Sequence, residues 1–279
     1  MNIYGFDFTS SPGSRKPITC AVCELLESTL KFHTCVKLYN FAEFEAFLSC
    51  AGPWLAALDF PFGQPRKLIS RLGWPETWEG YVQLIAAMGK YSFEHTLTRY
   101  CASRLPGDKH HLRVTDVRAA SRSPMMLQRV PVAKMFFQGA PRLLACGVNI
   151  LPSRPTNDNR IVVEGYPALI ARRLLGKRAY KSDERVKQTA DKVVARQAIL
   201  QRLCSPELLD HYGCILEINE TLSGALIEDP MADSLDALLC AVQAAWAYSQ
   251  RNNGYGIPPY CDPLEGWIVD PAVLGGKLH

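Results

Sequence analysis

Residues 53–60 read PWLAALDF, and residues 2–9 read NIYGFDFT. The first is a short, almost wholly apolar run that stops at Asp59, the pattern of a buried strand covered on both faces. The second opens with apolar alternation and stops at Asp7, and a turn rich in Ser, Pro and Gly (SSPGSRKP) follows it. Residues 17–26 and 29–38 read as two further strands with a short link, so the first three strands form an antiparallel meander. Residues 40–50 have helical spacing, with Asn40 as N-cap and apolar groups at 41, 44, 47 and 48. The resulting order, β-β-β-α-β, predicts a mixed α/β sheet in which the meander is continued by parallel strands and flanked by helices. Open α/β sheets gather their chemistry at strand ends, so Asp7 and Asp59 are expected side by side.

Residues 65–150 break this pattern. Helical segments are expected at about 77–88, 91–103 and 124–138, the last interrupted by Pro131, with a polar, basic loop at about 104–123. Together they read as a helical, basic insertion over the active edge of the sheet, within a single domain spanning 1–279. The core resumes at 160–164 (RIVVE), a strand ending in Glu164. A helix over 166–175 follows. A longer one is expected over 183–203, with Asp183 as N-cap and Val186, Ala190, Val193, Val194, Ile199 and Leu200 on its apolar side. The last strong helix covers 231–249, and a short final strand is expected at 266–269.

Hydrophobic residues make up 48% of the 279, enough for a sizeable core. No stretch approaches the roughly 18 consecutive apolar residues of a membrane span. The N-terminus lacks the basic-then-apolar form of a secretory signal. These features predict a cytoplasmic protein with no membrane partner. Cys20 and Cys23 form the only C-x-x-C among ten cysteines, but in a strand residues three apart face opposite ways. Buried, reduced thiols are therefore expected rather than a zinc site. Charge is uneven: residues 60–153 carry 13 basic and 5 acidic groups, 154–202 carry 12 and 5, and 203–279 carry 2 and 11. A basic middle suits a polyanion such as nucleic acid; it would equally neutralise an acidic tail within one fold.

Asp233 and Asp236 lie three apart at the start of the last helix and project from one face. Acids there also favour the positive end of the helix dipole. Beside Asp7 and Asp59 they form a cluster whose mutual repulsion calls for a compensating charge, and a hard divalent cation is the usual one. Glu164 is a further ligand or substrate-orienting candidate, or the partner of Arg172, Arg173 or Lys181 in an ion pair. His110 and His111 are candidates to activate water, and Arg113, Arg118 and Arg122 to grip phosphates; the plainer alternative for all five is a solvated loop.

These residues also carry a likeness. GFDFTS at 5–10, ALDFPFG at 57–63, VEGYPA at 163–168 and DSLDALLCAVQAAWA at 233–247, closed by EGWIVDP at 265–271, resemble the family called domain of unknown function 429. The resemblance implies an RNase H-like fold and a predicted nuclease. The placement of acids is also similar to that of Holliday-junction resolvases, which implies metal-dependent phosphodiester hydrolysis with Mg²⁺ or Mn²⁺. Asp7, Asp59, Asp233 and Asp236 then stand in the ligand positions, Asp7 bridging two ions. The resolvases usually have Glu where this chain has Asp59, and the shorter side chain would shift or weaken one metal site. Two other functions fit parts of the sequence. A phosphotransferase of the actin-like or sugar-kinase type needs a duplicated subdomain and Gly-rich loops that the chain lacks. A non-catalytic nucleic-acid binder leaves the acids unexplained, since carboxylates beside a phosphate groove lower affinity unless metal intervenes.

Overall fold

Strand β1 (Asn2–Asp7) lies at the centre of the sheet, with a partner on each edge, and Ile3, Gly5, Phe6 and Asp7 are buried there. It pairs antiparallel with β2 (Ile18–Leu26), which pairs antiparallel with β3 (Thr29–Leu38). On its other edge β1 pairs in parallel with β4 (Trp54–Leu58), and β4 pairs in parallel with β6 (Arg160–Glu164). Two short strands, β5 (Asn149–Ile150) and β7 (Ile215–Glu217), complete a seven-stranded sheet in the order β5-β6-β4-β1-β2-β3-β7. The meander followed by parallel strands is the expected mixed α/β arrangement. A computed structural model supplies these coordinates and describes residues 1–182, 184 and 187–275. Among the described residues no helix is long and apolar enough to cross a membrane.

Helices cover both faces. On one, α10 (Asp233–Ser249) lies across the sheet with α6 (Ala168–Leu175) and α7 (Ala190–Leu203) beside it, burying Ile3, Ala57, Ile170 and Ile199 among the small residues of α10. On the other, α1 (Phe41–Leu48) packs with α3 (Trp78–Ala102) and α5 (Val132–Cys146) over Phe6, Trp54 and Leu58. Cys20 belongs to the second core and Cys23 to the first, as strand alternation requires, and every cysteine is free. Asn40 caps α1, its side chain accepting from the Glu43 N–H at 2.9 Å.

Several sequence expectations need correction. The insertion does not merely overhang one edge of the sheet, because α3 and α5 form a full layer of the core. The segments at 77–88 and 91–103 are one run, α3, broken at Gly89, whose φ of +78° leaves the helical region. Pro131 does not interrupt a helix but precedes one: α5 starts at Val132, because a residue without an N–H fits a helix start. The loop at 104–123 contains α4 (Val114–Ala119) and several buried polar groups. Helix α7 begins at Ala190; Asp183 and Val186, expected in its first turns, lie outside the described residues. Its buried face carries Ala195, Arg196, Ile199, Leu200 and Leu203, whereas Val193 and Val194 are exposed. The strand expected at 266–269 is a single parallel bridge, Glu164 to Ile268. Helices α2 (Arg66–Leu72), α8 (Pro206–Tyr212) and α9 (Glu220–Glu228) were not anticipated; α11 (Pro271–Leu274) closes the described chain.

Candidate active site

The site is built by the closeness of α10 to the sheet. A Cβ on Gly5 would overlap the Ala237 carbonyl and the Ala241 N–H, so only glycine in β1 admits the helix at this distance. Small side chains at Ala237, Ala241, Ala244 and Ala245 complete the fit. Immediately before the helix Ala232 adopts a left-handed conformation (φ 58°, ψ 23°), a strained choice for a residue with a Cβ. Its N–H donates to Asp229 O at 3.2 Å, while Asp229 Oδ1 accepts from the Met231 N–H at 3.1 Å. This tight turn brings the first turn of α10, with Asp233 and Asp236, to the ends of β1 and β4.

The strand register does the rest. Phe6 pairs with Leu58 and Leu58 with Glu164, so Asp7, Asp59 and Glu164 end three adjacent parallel strands. The Asp59 N–H donates to Phe6 O at 3.0 Å, which extends the ladder to the acids themselves. Asp7 is 7% exposed, and its Oδ2 is buried without a hydrogen-bond partner. Burial, then Asp236 and Asp233, hold its carboxyl well above the usual range. Burial and the nearby Asp236 push Asp59 up to about 7, against the pull of Lys181 and Lys16. Asp233 is raised by burial and by Asp229 and Asp236, opposed by the same two lysines.

The compensating charge present among these acids belongs to the protein. Lys181 Nζ is ion-paired with Asp236 Oδ2, and the Tyr180 hydroxyl donates to Asp236 Oδ1 at 2.6 Å. Burial works against the ammonium, but Asp236, Asp7 and Asp59 outweigh it and raise its pKa. Arg196, buried in α7, donates to Tyr180 O at 2.9 Å and to Ile227 O at 2.7 Å, which anchors the segment carrying Lys181. Sequence reasoning weighed Lys181 only as a partner for Glu164. No periodicity marks it, because its partners lie in other elements.

Glu164 has a different fate from its neighbours. Its Oε1 accepts from Arg113 Nη2 at 2.6 Å, and its Oε2 accepts from Arg113 Nη1 at 2.8 Å and from the Phe62 N–H at 2.9 Å. The ion pair weighed as an alternative for Glu164 therefore exists, with Arg113 in place of Arg172, Arg173 or Lys181. Arg113 is 2% exposed and also holds Asp116 with two guanidinium nitrogens and the Glu265 carbonyl at 2.9 Å. It is a structural cation with no donor to spare for phosphate. Arg118 donates to Val273 O at 3.1 Å and lies over the Tyr260 and Trp267 rings. His111 is buried with its Nε2 2.7 Å from the Tyr100 hydroxyl, and burial lowers its pKa; His110 is exposed. Arg122 alone of the three arginines is exposed, with no hydrogen bond or ion pair among the described residues. It lines a cavity of about 240 Å³ whose walls include Asp59 and Glu164.

The donor set at the centre of this site consists of carboxylate oxygens, which suits a hard divalent ion. The partnerless Oδ2 of Asp7 is the atom that most needs one. As the side chains stand, with Lys181 on Asp236, no three Asp, Glu, His or Cys among the described residues form a finished metal cage. Residues 5–259 match the family described as "Protein of unknown function (DUF429)". The chain belongs to that family. The matched span takes in Asp7, Asp59, Glu164, Asp233 and Asp236, while the EGWIVDP block at 265–271 lies beyond it. No curated protein and no solved structure matches the chain.

Proposed function

We propose that the chain is a metal-dependent phosphodiester hydrolase that acts on nucleic acid. One observation carries the reading: Asp7 keeps a buried oxygen without a partner beside Asp59, Asp233 and Asp236. A protein selected for stability alone would not hold an unsatisfied carboxylate within range of three others, because each buried polar atom left unpaired costs about 1–3 kcal/mol. Asp7, Asp59, Asp233 and Asp236 are the residues that would hold Mg²⁺ or Mn²⁺. Bound there, such an ion supplies Lewis-acid activation of water and stabilises charge on the leaving oxygen. Tyr180 orients the Asp236 carboxylate, Lys181 neutralises the cluster before substrate arrives, and Arg122 offers a cation for a neighbouring phosphate. Glu164 is a positioning residue: tied to Arg113 and the Phe62 N–H, it fixes the end of β6 to the segment that follows Asp59 at the end of β4.

The test is cleavage of labelled single-stranded, duplex and branched DNA and RNA with Mg²⁺, with Mn²⁺ and in EDTA. Activity that requires the metal and is lost in Asp7→Asn is the expected outcome. Metal-dependent cleavage that survives Asp7→Asn and Asp236→Asn in equal measure would trace to a contaminant and refute the assignment. ATP-dependent thermal stabilisation with no cleavage would point instead to phosphotransfer.

A further inference from the structure

The cavity beside Asp59 has the features of a site for a single ring system. Much of its lining is apolar: Val132 and Met135 from the start of α5, with Phe60, Pro61 and the ring of Tyr166. The Tyr166 backbone is clamped, its N–H donating to Gln243 Oε1 at 2.7 Å and its carbonyl accepting from Gln243 Nε2 at 3.1 Å. The Arg172 guanidinium lies over the Tyr166 ring at 5.4 Å and donates to Ala119 O at 2.7 Å, which holds the ring in place. The carboxylates of Glu164 and Asp116 in the same wall are neutralised by Arg113. What remains is an apolar slot with one exposed cation, Arg122, and one acid of the candidate centre, Asp59.

Size and charge then select the occupant. At about 240 Å³ the cavity is smaller than the sites that enclose drug-sized ligands, which run from roughly 300 to 1,000 Å³. A stacked duplex has no base to offer it, whereas an unstacked base presents a flat apolar face of the kind aromatic and thioether side chains hold. Arg122 is suited to the phosphate attached to that base.

From this geometry we propose that the cavity binds one unstacked nucleobase next to the phosphate to be cut, so that the substrate is single-stranded or extruded nucleic acid and not intact duplex. The proposal deepens the hydrolase reading and rests on it for the neighbouring phosphate, but base binding itself needs no metal. The experiment is therefore run in EDTA. Binding of adenosine, ribose and adenosine 5′-monophosphate is measured by titration calorimetry on the full chain and on two variants, Val132→Trp, which fills the slot, and Arg122→Ala.

Adenosine is expected to bind one to one and at least about tenfold more tightly than ribose, with that advantage abolished in Val132→Trp. Arg122→Ala should remove the severalfold gain that the monophosphate shows over adenosine. A photoreactive azidoadenosine, used on the unaltered protein, should label residues 130–135 or Tyr166; this arm holds even if the tryptophan variant fails to fold. Adenosine binding no better than ribose, or labelling confined to other segments, overturns the proposal. Cleavage without base binding would remove the base site and leave the hydrolase; base binding without cleavage would do the reverse.

Discussion

Removing the ammonium of Lys181 is the most direct probe of the acid cluster. Lys181→Met keeps the aliphatic stem and leaves Asp7, Asp59 and Asp236 with no opposing charge from this residue. Stripping one partner from a fully buried pair costs about 3–5 kcal/mol. The Asp236 side chain is 1% exposed, but that of Lys181 retains 40%, so solvent screens part of the interaction and about 2 kcal/mol is the expected loss. With about 2.1 cal/mol/K of unfolding entropy per residue, a 279-residue chain converts this to a fall of about 3–4 °C in Tm.

The assay is thermal unfolding at pH 8, above the value of about 7 to which Asp59 is pushed in the parent with Lys181 in place. It is run in EDTA and again with Mn²⁺. An ion present at 100 times its Kd adds about 2.7 kcal/mol. In the variant the ion meets an open cluster, whereas in the parent it must displace Lys181 from Asp236. The Mn²⁺-induced rise should therefore be larger in the variant, and the two proteins should converge in Tm at saturating metal. A variant as stable as the parent in EDTA, or equal gains from Mn²⁺ in both, would refute the view that Lys181 stands in for a cation.

Arg113→Met leaves Glu164 and Asp116 buried without their shared partner, and denaturant unfolding should show a loss of about 3–5 kcal/mol. Gly5→Ala forces α10 off β1, and the same measurement should show a loss at the upper end of the about 1–3 kcal/mol typical of overpacking, with metal-induced stabilisation gone. In EDTA the stability should fall as pH rises from about 4 to about 7: Asp59, facing Asp7, Asp236, Glu164, Lys181 and Lys16, keeps in the folded state a proton that the unfolded chain has already released. Tm recorded at half-unit pH steps checks this, and a midpoint that climbs across that window contradicts it.

The sheet was legible because its signals are local. An apolar run of five to six residues ending in Asp, once at Asp7 and once at Asp59, is enough to place two strands, and the order of elements makes them parallel neighbours. The recurrent alanines of α10 (Ala237, Ala241, Ala244 and Ala245) mark a helix that can lie flat on a sheet, and the convergence of its two acids on the strand ends follows. Arg113 misled because its three carboxyl and carbonyl partners sit 3, 51 and 152 positions away, and a composition-based reading of a basic loop sees its charge and not its burial. The phase of α7 misled for a related reason. Val193 and Val194 look like core residues, but Arg196 takes the buried position there because two main-chain carbonyls need its donors. Gly5 was within reach: a glycine in the middle of a central strand signals close approach of another backbone, and here that backbone is α10.

Two buried aspartates separate what the fold requires from what a reaction would require. Asp270 is fully buried, yet each of its oxygens is used: the Ala272 N–H donates to Oδ1 at 2.9 Å, and Gln243 Nε2 and the Tyr212 hydroxyl donate to Oδ2 at 2.7 and 3.0 Å. Asp7 has an oxygen with no donor and three acids around it. Replacement by asparagine deletes the charge and turns one acceptor into a donor. At Asp270 the new NH₂ group faces existing donors, so Asp270→Asn should destabilise by about 1–3 kcal/mol. At Asp7 the same change relieves repulsion, so Asp7→Asn should raise Tm in EDTA while abolishing stabilisation by Mn²⁺. Opposite signs for one substitution at two buried sites are the mark of a residue kept at the expense of stability. If Asp7→Asn instead lowers Tm in EDTA as Asp270→Asn does, the cluster is part of the scaffold and the case for a hydrolytic centre fails.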